Sequence, residues 1–193
     1  MEQDYFENEI FDKIDFSNHP TTNLEYESCT FNHCNFSNTD LSGSSFINCN
    51  FSSCNLSMAT LTKTAFRDIV FLNCKMLGLR FEDCNAFGLS FSFDNCILTH
   101  SSFYGCKLKA TLFKQSKLQE VDFTNCDINS AVFDNCELTG ATFSNTLMEK
   151  ADFRTSFNYS IDPEVNRINK AIFSLNGLRG LLDKYDIEID DIS

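Results

Sequence analysis

The sequence predicts an all-β solenoid, and three observations predict it. First, the stretch from Ser101 to Phe153 counts in fives, with Phe103, Leu108, Phe113, Leu118, Phe123, Ile128, Phe133, Leu138, Phe143, Met148 and Phe153 at successive centres. Second, a small or modest residue stands two positions before each centre: Ser101, Cys106, Thr111, Ser116, Val121, Cys126, Ala131, Cys136, Ala141, Thr146, Ala151. A period of five suits neither an amphipathic helix nor a flat strand. It implies units that bury their apolar faces only by stacking on one another. Third, of 21 Phe, all but Phe87, Phe91 and Phe157 fall on such centres in one of two phases, and there is no Trp. Phenylalanine is core material here, not a surface stripe.

The units Cys54-Asn55-Leu56, Thr39-Asp40-Leu41, Val121-Asp122-Phe123 and Ala151-Asp152-Phe153 resemble the A(D/N)(L/F)xx unit of pentapeptide-repeat proteins. That resemblance implies a right-handed quadrilateral parallel β-helix. The centre and the small residue before it point inward, and four units, about twenty residues, make one coil. Stacking on that count aligns Phe93, Phe113, Phe133, Phe153 and Phe173 on one wall and Phe103, Phe123 and Phe143 on the opposite wall. Leu98, Leu118 and Leu138 fill a third wall, and Leu108, Ile128 and Met148 the fourth. Rungs of this kind repeat about every 4.8 Å.

In chain order, residues 1–25 read as an irregular N-terminal coil or cap. Phe6, Phe11 and Phe16 keep the spacing, Ile14 is an inward candidate, and Asn18–Asn23 reads as a bulging loop replacing one side of the square. Residues 26–173 form the repeat, from Tyr26 without slip to Phe81. A register break near 85–92 admits two extra residues around Ala86-Phe87-Gly88-Leu89. It is either a repaired slip or a loop presented to a partner. Ser160–Asn169 is a looser last coil with a turn at Ile161-Asp162-Pro163, and Ala171-Ile172-Phe173 restores the motif. The rod has about seven to eight coils, roughly 35–40 Å at the rung spacing.

Residues 174–193 change period. Leu175, Leu178, Leu182 and Tyr185, with Leu181 alongside, predict one face of a short C-terminal α-helix, N-capped by Ser174 and weakened by Gly177 and Gly180. Asp186–Ser193 is a short strand or an extended arm. An open solenoid end needs a cap, which is the plain role of this segment. The quinolone-resistance members of the resembled family imply a homodimer through this C-terminal region as well.

The ten cysteines (29, 34, 49, 54, 74, 84, 96, 106, 126 and 136) all stand two before a centre, which is a position for a small hydrophobe. No CxxC or Cys/His spacing suggests a metal. Ten reduced thiols imply a cytoplasmic protein. No apolar signal region and no run of membrane-spanning length is apparent.

Chemistry is not indicated. His19 falls in the N-terminal loop, and His33 and His100 fall on outward positions. There is no nucleophile elbow and no phosphate loop. The expectation is a non-enzymatic protein without cofactor or metal. The net charge of −12 is uneven: −8 over residues 1–60, +3 over 61–120 and −7 over 121–193. Acidic ends argue against direct nucleic-acid binding and for a basic partner surface. Lys107, Lys109, Lys114 and Lys117 are the one basic concentration. The resemblance extends to the Qnr/MfpA branch, and implies a DNA mimic that binds DNA gyrase or topoisomerase IV and protects it from fluoroquinolones. The candidate contacts are the outward acids Asp122, Asp127, Asp134, Glu137, Glu149 and Asp152. Two features depart from that branch: long projecting loops are absent, and the middle third is net positive. The alternative is a cytosolic interaction scaffold with an unknown partner, using the loops at Asn18–Asn23 and Ala86–Ser92 or the Lys107–Lys117 face.

Overall fold

The computed structural model describes residues 5–190. The chain winds into a four-walled parallel β-helix. On the first wall, Tyr5–Glu7, Glu25–Glu27, Ser45–Ile47 and Ala65–Arg67 form a four-stranded sheet. On the second, a seven-stranded sheet runs through Ile10–Asp12, Thr30–Asn32, Asn50–Ser52, Ile69–Leu72, Phe91–Asp94, Leu112–Lys114 and Val132–Asp134. Single parallel bridges carry this wall on from Val132 to Asp152 and Ile172. The third and fourth walls are held by such bridges alone, as in Ile97–Lys117–Glu137 and Ser102–Asp122–Thr142.

The apolar centres stack like over like. Phe11, Phe31, Phe51, Phe71, Phe93, Phe113, Phe133, Phe153 and Phe173 form one continuous ring column, with neighbouring centroids 4.6–5.5 Å apart. Phe81, Phe103, Phe123 and Phe143 stack opposite, and rings of the two columns meet edge to face, as Phe113 does with Phe123 at 5.9 Å.

The motif's other positions have separate causes. The side chain two before the centre is small, and several that can donate bond a buried carbonyl of the coil below, although the buried Thr39 hydroxyl has no such partner. Cys136 Sγ donates to Phe113 O (3.4 Å), Thr146 Oγ1 to Phe123 O (2.8 Å) and Ser156 Oγ to Phe133 O (2.7 Å). The Asp or Asn before the centre closes its own corner by accepting from the backbone N–H two residues on, as Asp40 does from Ser42 and Asp122 from Thr124. The residue two after the centre turns the corner with positive φ, which explains Asn38 (56°), Asn48 (53°) and Gly43 (72°) there.

The structure departs from expectation at four places. The first coil is regular: its strands pair in register with Glu25–Glu27 and Thr30–Asn32. Ile14, expected inward, is exposed; it lies in the first coil of the described residues, with no described coil beneath it. Asn18–Asn23 is not a bulging loop. Thr21 is buried as an ordinary fourth-wall centre, with its hydroxyl donating to Asp40 O at 2.7 Å.

The register break is a true projection. Ladder bonds resume with Asn85 N to Thr64 O and Ser90 N to Phe66 O, so the intervening residues stand off the first wall. Phe91, which lies off the centres, is nevertheless core. It occupies the inward position before Phe93 and packs on the Phe81 ring at 5.3 Å, filling the space that the projecting loop leaves open. At the C-terminus the expected α-helix is replaced by two 3-10 helices, Asn176–Leu181 and Asp183–Tyr185. The expected Ser174 contact is present, since its Oγ accepts from Gly177 N–H at 3.1 Å. Residues 186–190 form no strand, and Ile192 of the expected arm lies outside the described residues. Among the described residues, no helix is long and apolar enough to cross a membrane.

Candidate partner-binding surfaces

The six candidate acids are not gathered onto one surface. Asp127 and Glu149 lie on the first wall, Asp134 and Asp152 on the second, Glu137 on the third and Asp122 on the fourth. Four of them work inside their own coil. Asp122, Asp127, Glu137 and Asp152 accept from the backbone N–H of Thr124, Asn129, Thr139 and Arg154. Asp127 also pairs with Lys109 at 3.2 Å. Asp152 is chelated by Arg154 Nε and Nη2, which holds its carboxyl below the usual range. Asp134 takes side-chain bonds from Asn135 and Thr155, and Glu149 remains half-exposed.

The lysine concentration is likewise not one face. Lys107 and Lys109 flank the first-wall centre Leu108, Lys114 lies on the second wall and Lys117 on the third. Lys114 Nζ pairs with Asp94 at 2.9 Å. His33 and His100 sit on corners beside Asp12 (3.3 Å) and Glu120 (3.1 Å). All ten cysteines are free and buried. Burial pushes the thiol of Cys49 up to about 11 and that of Cys136 up to about 12. Among the described residues, no group of three or more His, Cys, Asp or Glu could hold a metal ion.

The projecting loop presents Phe87, 79 % exposed, with the Arg67 guanidinium 5.6 Å from its ring centroid. Beside the loop lies a cleft of about 150 Å³ whose lining includes Phe81, Glu82, Leu89, Tyr104 and Cys106. Glu82 Oε2 is buried without a hydrogen-bond partner, and burial raises its carboxyl pKa.

At the C-terminal end the predicted apolar residues divide. Leu181 packs partly buried against the core. Leu175 (83 % exposed), Leu178 and Leu182 line an open cleft of about 610 Å³ with Ile189. Tyr185 is exposed, its hydroxyl bonded to Glu164 at 3.0 Å. Sequence reasoning missed the partner of the two glycines. Gly177 and Gly180 lie directly on Tyr159, and a Cβ on either would collide with it. At three residues per turn, a 3-10 helix puts both glycines on the same side.

A further feature escaped the sequence. Val70, Leu72, Leu112, Val132 and Ile172 are exposed on the outside of the second wall. The available signal was an apolar residue directly before a centre, where the motif carries Asp or Asn: Val70, Leu112, Val132 and Ile172 all stand there.

Family comparisons agree with the repeat geometry. One model of a pentapeptide repeat region matches residues 80–153, and one of pentapeptide repeats matches 29–68 and 49–85. The chain belongs to the pentapeptide-repeat family. Similar solved structures include trypsin-treated QnrB1, a plasmid-mediated fluoroquinolone resistance protein, at 21% identity over 97% of this chain and 98% of that one, TM-score 0.47. They also include HetL, a pentapeptide-repeat protein involved in heterocyst differentiation regulation from the cyanobacterium Nostoc sp. strain PCC 7120, at 17% identity over 90% and 85%, TM-score 0.42. No curated protein matches the chain. The motif matches cover the middle of the rod; the first coil and the capping segment of this pentapeptide-repeat protein lie outside them.

Proposed function

We propose that this pentapeptide-repeat protein is a non-enzymatic, Qnr-like DNA mimic that docks in the DNA-binding groove of a type II topoisomerase, DNA gyrase or topoisomerase IV. The observation that carries the reading is the charge of the rod: −8 over residues 1–60 and −7 over residues 121–193. An acidic rod is drawn to a groove built for phosphates. A homodimer through Leu175, Leu178 and Leu182 would cover the C-terminal cleft and bring two acidic segments together at its centre. The reading places the protein in the cytoplasm.

The test is a gyrase supercoiling assay with ciprofloxacin, beside direct binding at several salt concentrations. The expected result is rescue of supercoiling and binding that weakens as salt rises; absence of both removes the reading. Asp122→Asn and Asp152→Asn separate charge from structure, since an amide oxygen still closes the corner. Binding should weaken with the melting temperature little changed.

The projecting loop supports a second reading, an interaction scaffold for another cytosolic partner. Phe87 at its tip, beside the adjoining cleft, offers an exposed apolar anchor. Phe87→Ser should abolish capture of such a partner and leave gyrase binding intact.

A further inference from the structure

The outside of the second wall carries two parallel columns with an ordered pattern. In the column before the centres, successive rungs read Val70, Ser92, Leu112, Val132, Asp152, Ile172. In the column after them, four successive rungs read Asp94, Lys114, Asp134, Arg154, which alternate in sign. Both columns are self-complementary when reversed about the midpoint between the rungs of Phe113 and Phe133. Reversal sets Val70 against Ile172, Leu112 against Val132, Asp94 against Arg154 and Lys114 against Asp134.

We propose that this wall is a self-association surface, and that its occupant is the same wall of a second copy, packed face to face with the two rods antiparallel. A two-fold axis lying in the interface along the strand direction keeps each column facing its own counterpart and reverses the order of rungs. Apolar then meets apolar, Ser92 meets Asp152, and in the charged column each acid meets a base of the other copy. The parallel arrangement fails, because it sets the apolar column against the charged one. A slip of one rung also fails: it opposes Asp94 to Asp134 and Lys114 to itself. The sign alternation therefore selects one orientation and one register.

The charges remain able to serve both copies. Lys114 Nζ is bound to Asp94, and the next acid in its column, Asp134, is one rung away. Arg154 holds Asp152 through Nε and Nη2, which leaves Nη1 free to reach the other copy. Val70 and Ile172, the outermost apolar pair, are 43% and 42% exposed in the single chain. The contact spans six rungs at about 4.8 Å each, so it buries several hundred Å² per copy, less than the roughly 800 Å² of a standard interface. The dimer is accordingly weak, assembling at about 0.1 mM and at a salt concentration that screens the net charge. It uses a surface distinct from the C-terminal cleft and does not depend on topoisomerase binding.

Sedimentation velocity over a concentration series in about 0.15 M salt tests it, with two charge reversals. Lys114→Glu alone brings the new acid opposite Asp134, and Asp134→Lys alone brings the new base opposite Lys114. Each should weaken self-association by about tenfold or more. Mixing the two variants makes every charge pair complementary and should restore association as a mixed dimer. Both positions are on the surface, and circular dichroism checks the fold of each variant. Three results would overturn the proposal: no association through this wall up to about 1 mM, association indifferent to both reversals, or mixing that restores nothing. Association that persists in both variants but is lost in Leu178→Glu would assign it to the C-terminal cleft instead.

Discussion

Cys136 shows what the position two before a centre requires. Its thiol is buried, and it donates to the Phe113 carbonyl at 3.4 Å. Ser156, the next residue in that column, makes the same bond to Phe133 with a hydroxyl. Cys136→Ser therefore keeps a donor, whereas Cys136→Ala removes the side-chain bond to that carbonyl and leaves a small void, and should cost about 1 kcal/mol in urea unfolding. The same burial sets a pH limit. With thiol pKa values pushed up to about 11 at Cys49 and about 12 at Cys136, the folded state keeps protons that the unfolded chain releases near its ordinary value of 9. This contribution is whole below about pH 9 and is lost as pH climbs towards about 12. The melting temperature should fall over that window, and fall less in a Cys49→Ser/Cys136→Ser variant. Legibility differed by position: the inward thiols were plain from their spacing, but the destination of the carboxylates was not. Asp122 and Asp152 look like free outward charges in sequence. They are corner acceptors because the turn brings the N–H two residues on within reach of each.

At the scale of elements, the capping segment is the instructive case. Leu175, Leu178, Leu182 and Tyr185 fit an α-helical face, yet the chain forms 3-10 turns. Gly177 and Gly180 must both approach Tyr159, and Ile161 N–H bonds Gly180 O at 2.8 Å. These contacts join elements that local propensity cannot connect. Gly180→Ala should push the cap off Tyr159, cost about 1–3 kcal/mol and speed amide exchange over residues 174–185. Substituting the exposed Gly105, where a Cβ would meet nothing within 4 Å, should cost only the strain of its positive φ of 68°. At the register break, two extra residues were legible from the change of phase. That Phe91 would fill the resulting gap was not, since the gap exists only once the coils are stacked.

The molecule as a whole is a one-dimensional stack, and its cohesion runs along the Phe11–Phe173 column. Phe113 touches rings above, below and across, at 4.9–5.9 Å from Phe133, Phe93, Phe103 and Phe123. Phe113→Ala should cost about 3–5 kcal/mol, and because each coil contacts only its neighbours the loss divides the rod into two weakly coupled halves. Calorimetry should then show a broadened or double transition in place of a single one. Charge also operates at this scale: the topoisomerase reading rests on the acidic terminal thirds, and the net-positive middle third between them departs from it.

The five-residue period by itself determined that this chain is a solenoid, which side chains face inward and where the count breaks, because inward and outward alternate within each unit and need no knowledge of its neighbours. Only the tertiary structure decided which rungs meet. Whether Val70 lies in one column with Leu112, Val132 and Ile172 depends on how the projecting loop absorbs two residues between Phe71 and Phe93. Whether an acid is free or spent depends on the corner it closes. Neighbours across a coil lie about twenty residues apart in sequence, and the number of residues in each turn of the rod, which fixes who those neighbours are, is a property of the closed wall and not of any single unit.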